Sequence, residues 1–504
     1  MRRLALLATL LFPLALTAAP SIVLISGRVY TGDPAKPFVD AVAIEGNKIT
    51  AVGTNDAIRA LVGPATQVIN VRGQLVVPGF NDAHVHPGNA TPMFRVNLGD
   101  DPSFSDVHAA LANVLEETPG DLWIHVTVGR RIINDSSVNA AALEKIARGR
   151  KVYMTAWTGH GAILSPAAMA ALGVRDDAVD PPGGWYGRDS SGRVDGRVFE
   201  AAHYPLSRKI AEMATDEELM ASVRALSDEA ILNGITSIQA MPAVSEKRFA
   251  AAIRNAQVPI RIRIIRFGDA AAAGNVTNGI KHILDGTPIE KNAALRNAEY
   301  EGGGKGRENY ADLTPFVREA AESKQQILFH AVGDKTIESA LKAFAAFPAL
   351  QRPRIEHGDG LQSDLLPLTK QTGTVVVLNP SHFQFRHFFP RGEYALARKL
   401  IESGIPIAIG SDGPMHPGLN IMFATERRDD PSQALSREQA LNAYTQGSAF
   451  AEMKEKQKGK IAPGMLADLA VLNQDILRIA GYKLPATQSV LTIIDGKVVH
   501  VEMD

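Results

Sequence analysis

Two histidines early in the chain have the spacing of a metal-binding pair. His84 and His86 end the run Val-Pro-Gly-Phe-Asn-Asp-Ala-His-Val-His of residues 77–86. Successive side chains of a β-strand point to opposite faces, so both imidazoles project from one face, where they can bind a single ion. Because His-x-His is short and common, the pair alone is equally compatible with two structural histidines.

Three further polar residues follow apolar, strand-like runs. His330, His357 and Asp412 each stand where such a run ends and a loop begins. In a barrel of parallel strands the active site is built at the carboxyl ends of those strands. The sequence therefore predicts that these three side chains converge on His84 and His86.

The elements that would position these residues alternate between strands and helices. The apolar strand candidates are residues 123–128, 151–156, 235–238, 260–267, 326–329, 375–378 and 405–409. The helical stretches between them include residues 216–232, 313–323, 335–346 and 393–403. This alternation predicts an α/β fold with a parallel sheet, and its length favours a (β/α)8 TIM barrel over residues 78–458.

Two regions stand outside this alternation. An insertion is expected at about residues 95–215, and its Pro-, Gly- and Ser-rich part, residues 176–197, is predicted to be an irregular, lid-like segment. Short β-rich runs at both ends, in residues 20–77 and 459–504, predict one composite β-sandwich domain built from the two termini. Its role is expected to be structural.

The first residues have the features of a secretory signal. Two arginines precede an apolar stretch that is too short for a good membrane span, and Thr17-Ala18-Ala19 supplies small residues for cleavage. Residues 1–19 are therefore predicted to be a signal peptide, and the mature protein is expected in the periplasm or the medium.

Composition narrows the classes of partner. The 504 residues are 45% hydrophobic and 21% charged, with a formal net charge of −1, which argues against a broad interface with nucleic acid or, after signal removal, with anionic membrane. The chain has no cysteine, so any metal ligands must be histidine, carboxylate or modified lysine. We expect a small-molecule substrate, and the Ala-rich helices leave homo-oligomer formation open.

Several motifs in this order resemble the amidohydrolase superfamily, and within it the YtcJ-like branch of metal-dependent hydrolases, which includes N-substituted formamide deformylases. The resemblance runs from about residue 23 to the carboxyl terminus. The motifs are the run 77–86, Gly-His-Gly at 159–161, Lys-x-x-x-Asp-Gly at 281–286, His-Ala-Val-Gly-Asp at 330–334, Arg-Ile-Glu-His at 354–357 and Gly-Ser-Asp at 410–412.

The resemblance implies a role for each residue of the site. His84 and His86 would bind a first divalent ion together with Asp412, and His330 and His357 would bind a second. Lys281 would bridge the ions as a carbamate formed with CO2; the alternative is an ordinary exposed lysine. One or two ions, zinc being expected, would present hydroxide to the substrate.

The same resemblance implies hydrolysis of an amide or related C–N bond, with Asp412 as general base. His382 and His160 are candidates for substrate-facing roles, with a structural hydrogen bond as the alternative for each. An ester or lactone hydrolase, an isomerase using the same metals, and a non-catalytic exported ligand-binding barrel remain the rival hypotheses. The loops depart from the branch: Gly358-Asp359 stands where a small residue and glutamine are usual.

Overall fold

The computed structural model describes residues 19–87, 90–118, 120–267, 277–390 and 392–503. The predicted signal peptide lies outside these residues except for Ala19, so export stays a prediction. In the described ranges, no helix has both the length and the apolar character that a membrane span requires.

The first described elements are seven short strands and one small helix. They are β1 (Ile22–Ile25), β2 (Arg28–Tyr30), β3 (Phe38–Val39), β4 (Ala41–Glu45), β5 (Lys48–Gly53), α1 (Asn55–Arg59), β6 (Gln67–Asn70) and β7 (Leu75–Pro78). Four of them form a sheet in the order β5-β4-β1-β6. The predicted β-rich runs in this part of the chain are confirmed, for example by β1 and β4.

Strand β8 (Phe80–Val85) carries His84, His86 follows it directly, and an inserted layer comes next in the chain. The layer consists of β9 (Met93–Val96), α2 (Phe104–Glu117), β10 (Trp123–Val128), α3 (Arg130–Ile133), α4 (Ala140–Ala147), β11 (Val152–Ala156), β12 (Gly161–Leu164), α5 (Pro166–Leu172), β13 (Gly184–Arg188), β14 (Val194–Glu200) and α6 (Tyr204–Ala211). Its six strands pair in the order β13-β14-β12-β11-β10-β9 around hydrophobic clusters of their own.

The prediction of an irregular segment at residues 176–197 is wrong. Strands β13 and β14 pair there as an antiparallel hairpin. Gly183, with φ of +78°, directly precedes β13, and Gly192, with φ of +81°, lies in the turn between the two strands. Val194 and Val198 of β14 are buried, which accounts for this strand.

The central part of the chain alternates strands and helices as predicted. Its elements are α7 (Asp216–Leu232), β15 (Ile235–Ala240), α8 (Glu246–Ala256), β16 (Arg261–Ile264), β17 (Arg266–Phe267), β18 (Gly279–Ile283), α9 (Thr314–Ser323), β19 (Gln326–Ala331), α10 (Asp334–Ala345), β20 (Arg354–His357), α11 (Leu366–Gln371), β21 (Val375–Leu378), α12 (Ala397–Glu402), β22 (Ile407–Ile409), α13 (Pro417–Thr425), α14 (Arg437–Asn442) and α15 (Ser448–Ala451). A 3-10 helix, Pro380–Phe388, follows β21.

Local sequence explains several of these bounds. Helix α7 begins where Thr215 and Glu218 form a capping box, and it spans the predicted residues. Helix α12 is shorter than the predicted 393–403, because Ala395 has φ of +47° and the Glu393 side chain instead accepts hydrogen bonds from Ser363.

The central strands are parallel and form two sheets. Strands β8, β15 and β16 form one, in the order β16-β15-β8, and β17 to β22 form the other in chain order. Ile265 separates β16 from β17, so the hydrogen-bonded ladder is not a single closed one. At the other end Asp412 N donates to His84 O at 3.0 Å, which places the segment after β22 against β8.

The carboxyl terminus returns to the first strands. Strands β23 (Leu469–Leu472), β24 (Ser489–Ile494) and β25 (Lys497–Val501) belong to a six-stranded sheet in the order β25-β24-β23-β7-β2-β3. In it β23 runs antiparallel to β7. Both ends of the chain therefore contribute to one sheet, immediately before the strand that carries His84.

Candidate active site

A cavity of about 620 Å³ lies at the carboxyl ends of the central strands, with the inserted layer forming its opposite wall. The sequence-predicted residues that line it are His86, His160, Lys281, His330, His357, His382 and Asp412. His84 lies behind them, fully buried. The structure thus brings together every candidate site residue.

Two imidazoles from the β8 region and the carboxylate after β22 form the centre of this group. His84 Nε2 and His86 Nε2 each lie 3.7 Å from Asp412 Oδ1. Burial raises the pKa of Asp412, but the nearby histidines and Lys281 outweigh it and hold this pKa well below its usual range. An ionised carboxylate facing two imidazole nitrogens is a donor set that suits a divalent cation such as zinc.

Lys281 is buried at this centre, contrary to the alternative of an exposed lysine. Its Nζ lies 2.9 Å from His84 Nε2 and 3.3 Å from His86 Nε2. Burial lowers its pKa to about 8, although Asp412 opposes the shift. A lysine amine that loses its proton this readily is chemically suited to carbamate formation, so the predicted bridging role has a physical basis.

A second cluster adjoins the first. His357 Nδ1 and His382 Nε2 lie 3.8 and 3.9 Å from Asp412 Oδ2, so His382 stands where the sequence favoured His330. The His330 ring is 4.4 Å from that of His357 between centroids. The buried His330 Nε2 has no hydrogen-bond partner among the described residues, and an orphaned nitrogen of this kind fits a metal ligand.

The support behind His84 is a feature that sequence reasoning missed. His84 Nδ1 lies 2.6 Å from Glu356 Oε2, and Arg354 donates to both Glu356 oxygens at 2.7 and 2.9 Å. All three side chains are fully buried. A carboxylate on Nδ1 fixes the tautomer that leaves Nε2 as a lone-pair donor toward the centre.

Three residues of the site have left-handed backbone conformations. His357 has φ of +72°, Asp412 of +40° and Glu200 of +53°. Each such non-glycine conformation costs on the order of 1–3 kcal/mol and persists only where surrounding contacts enforce it. At Asp412 the enforcing contact is the hydrogen bond to His84 O described above.

On the inserted wall, His160 is held by a buried glutamate. His160 Nδ1 lies 3.1 Å from both oxygens of Glu200, and Tyr204 Oη donates to Glu200 Oε2 at 2.6 Å. Burial alone would lower the pKa of His160, but Glu200 outweighs it and raises the pKa to about 8. His160 is therefore a cation at neutral pH, with its ring 4.7 Å from that of His330 between centroids.

Asp359 also lines the cavity, beyond His357 in sequence. Its side chain is buried, and its Oδ1 accepts no hydrogen bond from any described residue. Burial raises its pKa to about 6, while His382 and Arg427 act in the opposite direction. In the sequence, Asp359 stands out only because it departs from the glutamine that is usual in the branch.

Comparison with known proteins gives consistent matches over most of the chain. The sequence profile of the Amidohydrolase family matches residues 67–500. The protein YtcJ of Bacillus subtilis is 25% identical, with 94% of this chain and 98% of YtcJ aligned. N-substituted formamide deformylase of Arthrobacter pascens is 22% identical, with 95% of this chain and 98% of the deformylase aligned.

A solved structure shows the same fold. An uncharacterised metal-dependent hydrolase from Pyrococcus horikoshii superposes with a TM-score of 0.71 at 19% identity, covering 92% of this chain and 99% of its own. The likeness therefore extends over the terminal sheets, the central strands and the inserted layer together.

Proposed function

The chain belongs to the amidohydrolase family, a family of hydrolases, and on that premise we propose that it hydrolyses an amide or related C–N bond of a small molecule. The observation that carries the proposal is the convergence of His84 Nε2 and His86 Nε2 on Asp412 Oδ1, at 3.7 Å each, in the wall of the cavity. We also infer that the two central sheets act as one (β/α)8 barrel, supported by the hydrogen bond from Asp412 N to His84 O.

The donor set fits a divalent metal, and we propose that the site binds one or two zinc ions. His84, His86 and Asp412 would hold the first, and His330, His357 and His382 offer nitrogens for a second, with a Lys281 carbamate as the proposed bridge. When bound, such a cation acidifies water and polarises a carbonyl oxygen.

The protein's own groups then handle the protons. Asp412, ionised and oriented by its neighbours, would accept one proton of the attacking water as the water oxygen bonds to the substrate carbonyl carbon. The same carboxyl group would return that proton to the nitrogen as the C–N bond breaks, so that one water is consumed and an acid and an amine are released. His160, a cation on the opposite wall, would face the substrate and donate a hydrogen bond to it.

The test combines metal analysis with one substitution. Purified protein should contain one to two equivalents of transition metal and should hydrolyse at least one compound in a panel of N-formyl, N-acyl and dipeptide substrates. Asp412→Asn should lower turnover by about 10²- to 10⁴-fold, since it removes the proton acceptor. Asp475→Asn, in the ion pair with Arg28, is the control and should leave turnover unchanged.

Either of two results would contradict the proposal. One is full turnover by protein that chelation has freed of metal. The other is a product mixture without amine, which would indicate ester hydrolysis or isomerisation.

A further inference from the structure

The cavity contains a carboxylate that the proposed mechanism does not use. Among the described residues that line it, the carboxylates are Asp412 and Asp359. Asp412 belongs to the metal-binding cluster, whereas Asp359 makes no contact there as a ligand. Asp359 is therefore the spare negative charge of the substrate cavity.

The position of Asp359 is fixed by its backbone. Its carbonyl oxygen accepts from Ala395 N at 2.7 Å, and Gly360 N donates to Val332 O at 2.9 Å. The residue is only 5% exposed. Because the chain is held on both sides, the carboxylate has little freedom to turn toward bulk water.

The side chain is nonetheless left without a hydrogen bond at Oδ1 in the described part of the chain. Two potential hydrogen-bond donors are near, but both are engaged elsewhere. Arg427 donates to Asp429 Oδ1 at 2.8 Å and to Ala395 O at 2.9 Å, and His382 Nε2 faces Asp412 O at 3.3 Å. A buried carboxylate oxygen with no donor costs about 1–3 kcal/mol or more, which a ligand can recover.

The remaining lining favours a cation as that ligand. Phe385 and Tyr394 also line the cavity, and the faces of aromatic rings attract cations. The lining residues that can supply positive charge are Lys281, Arg208 and His160, and they lie against His84, Glu246 and Glu200 respectively. None of the three therefore supplies the missing charge partner of Asp359.

We propose that Asp359 forms a subsite for a cationic nitrogen group of the substrate, an ammonium or a comparable protonated nitrogen with N–H donors. The inference rests on the proposed function, because it places this group in the cavity where the C–N bond would be cleaved. The substrate class is then a cationic amide. Members of the YtcJ-like branch that have the usual glutamine at this position would lack the negative charge of this subsite.

The test measures binding, so that it does not depend on turnover. The probe is n-pentylammonium at pH 7, and its neutral counterpart is 1-pentanol, both titrated calorimetrically into the metal-loaded protein. Wild type should bind the ammonium at least tenfold more tightly than the alcohol. Asp359→Asn should weaken ammonium binding by about 10- to 100-fold, the range for a charge-assisted hydrogen bond, and change alcohol binding less than twofold.

Two controls make the result specific. Glu290→Gln removes a buried carboxylate that lies near His160 but outside the cavity lining, and it should leave ammonium binding within twofold of wild type. Elemental analysis of Asp359→Asn should find the metal content of wild type, which excludes indirect loss through the neighbouring His357.

The proposal is overturned if wild type does not discriminate between ammonium and alcohol, a comparison that needs no variant to fold. It is also overturned if folded Asp359→Asn binds ammonium as wild type does. Failure of the proposed function would look different, because ammonium would still bind through Asp359 while no amide in the substrate panel was hydrolysed.

Discussion

His84 on the strand wall and His160 on the inserted wall each hold Nδ1 against a buried glutamate, yet the two pairs differ in charge. Behind His84, Arg354 balances Glu356, and burial lowers the pKa of His84 so that its ring stays neutral. Behind His160, Glu200 receives hydrogen bonds from uncharged donors, Tyr204 Oη and Asn309 Nδ2, so His160 itself supplies the positive charge.

The comparison shows how one residue pair can serve two chemistries. A neutral imidazole with Nδ1 blocked offers a lone pair at Nε2, which a metal needs. A protonated imidazole offers a hydrogen-bond donor instead, which a substrate oxygen or a leaving group needs. Burial and the nearby Lys281 lower the pKa of His84, whereas at His160 Glu200 outweighs burial and raises the pKa, and this difference decides between the two chemistries.

The largest effect is expected from Glu356→Ala, which breaks the neutral pair. Arg354 would be left fully buried without its partner, at a cost of about 3–5 kcal/mol in the free energy of unfolding. Metal affinity should fall about 10- to 100-fold because His84 loses its orientation. Urea denaturation and metal titration measure the two effects.

Glu455→Ala is the matched control for that substitution. It removes a glutamate from the partly exposed pair with Arg352, where the expected cost is about 0–1 kcal/mol. Equal losses of stability in the two variants would show that the buried Glu356–Arg354 pair has no special role.

Glu200→Gln should change the charge of His160 and leave metal binding unchanged. Without the carboxylate, burial would prevail and bring the pKa of His160 from about 8 to below its ordinary value. In wild type the raised pKa contributes stability that is fully present below pH of about 6.5 and is lost as the pH rises through about 8. The stability difference between wild type and the variant should therefore shrink between pH 6 and pH 9.

Imidazole NMR titration and unfolding at several pH values measure these changes, and metal content should stay at the wild-type level. A pKa of His160 that stays near 8 in the Glu200→Gln variant would mean that Glu200 is not its cause. The explanation of the different charges of His84 and His160 would then be wrong.

Tyr204→Phe should have the smallest effect. It removes one hydrogen bond to Glu200 and leaves the His160–Glu200 pair in place, so the free energy of unfolding should fall by only about 1–2 kcal/mol. His160 should remain protonated at pH 7, which the same NMR titration reports. A neutral His160 in this variant would show that the hydroxyl, and not the carboxylate, controls its charge.

The sequence predicts well what local pattern determines. Parallel strands buried on both faces are apolar throughout, as in Val375–Leu378, and their ends are marked by polar residues such as His330 and Asp412. His84 and His86 share a face because of strand alternation. These features need no knowledge of distant contacts, and the structure bears out the location of each predicted strand.

The sequence does not reveal what depends on contacts between distant segments. Glu356 lies in the same motif as His357, but its pairing with His84 joins residues far apart in the chain. The hairpin in residues 176–197 was missed because its turn residues outnumber its buried valines. His382 was placed as substrate-facing, and only its distance to Asp412 gives it the position of a ligand.

The antiparallel pairing of β7 with β23 has a consequence for synthesis on the ribosome. Leu75 pairs with Leu472 and Pro78 with Leu469, so the strand leading into His84 has β2 beside it but lacks its other neighbour, β23, until nearly the whole polypeptide has been translated. At about 5–20 residues per second that delay is on the order of tens of seconds. Until then the nascent protein exposes one edge of β7. The strand that leads into His84 is therefore fully paired only after the last part of the chain has emerged.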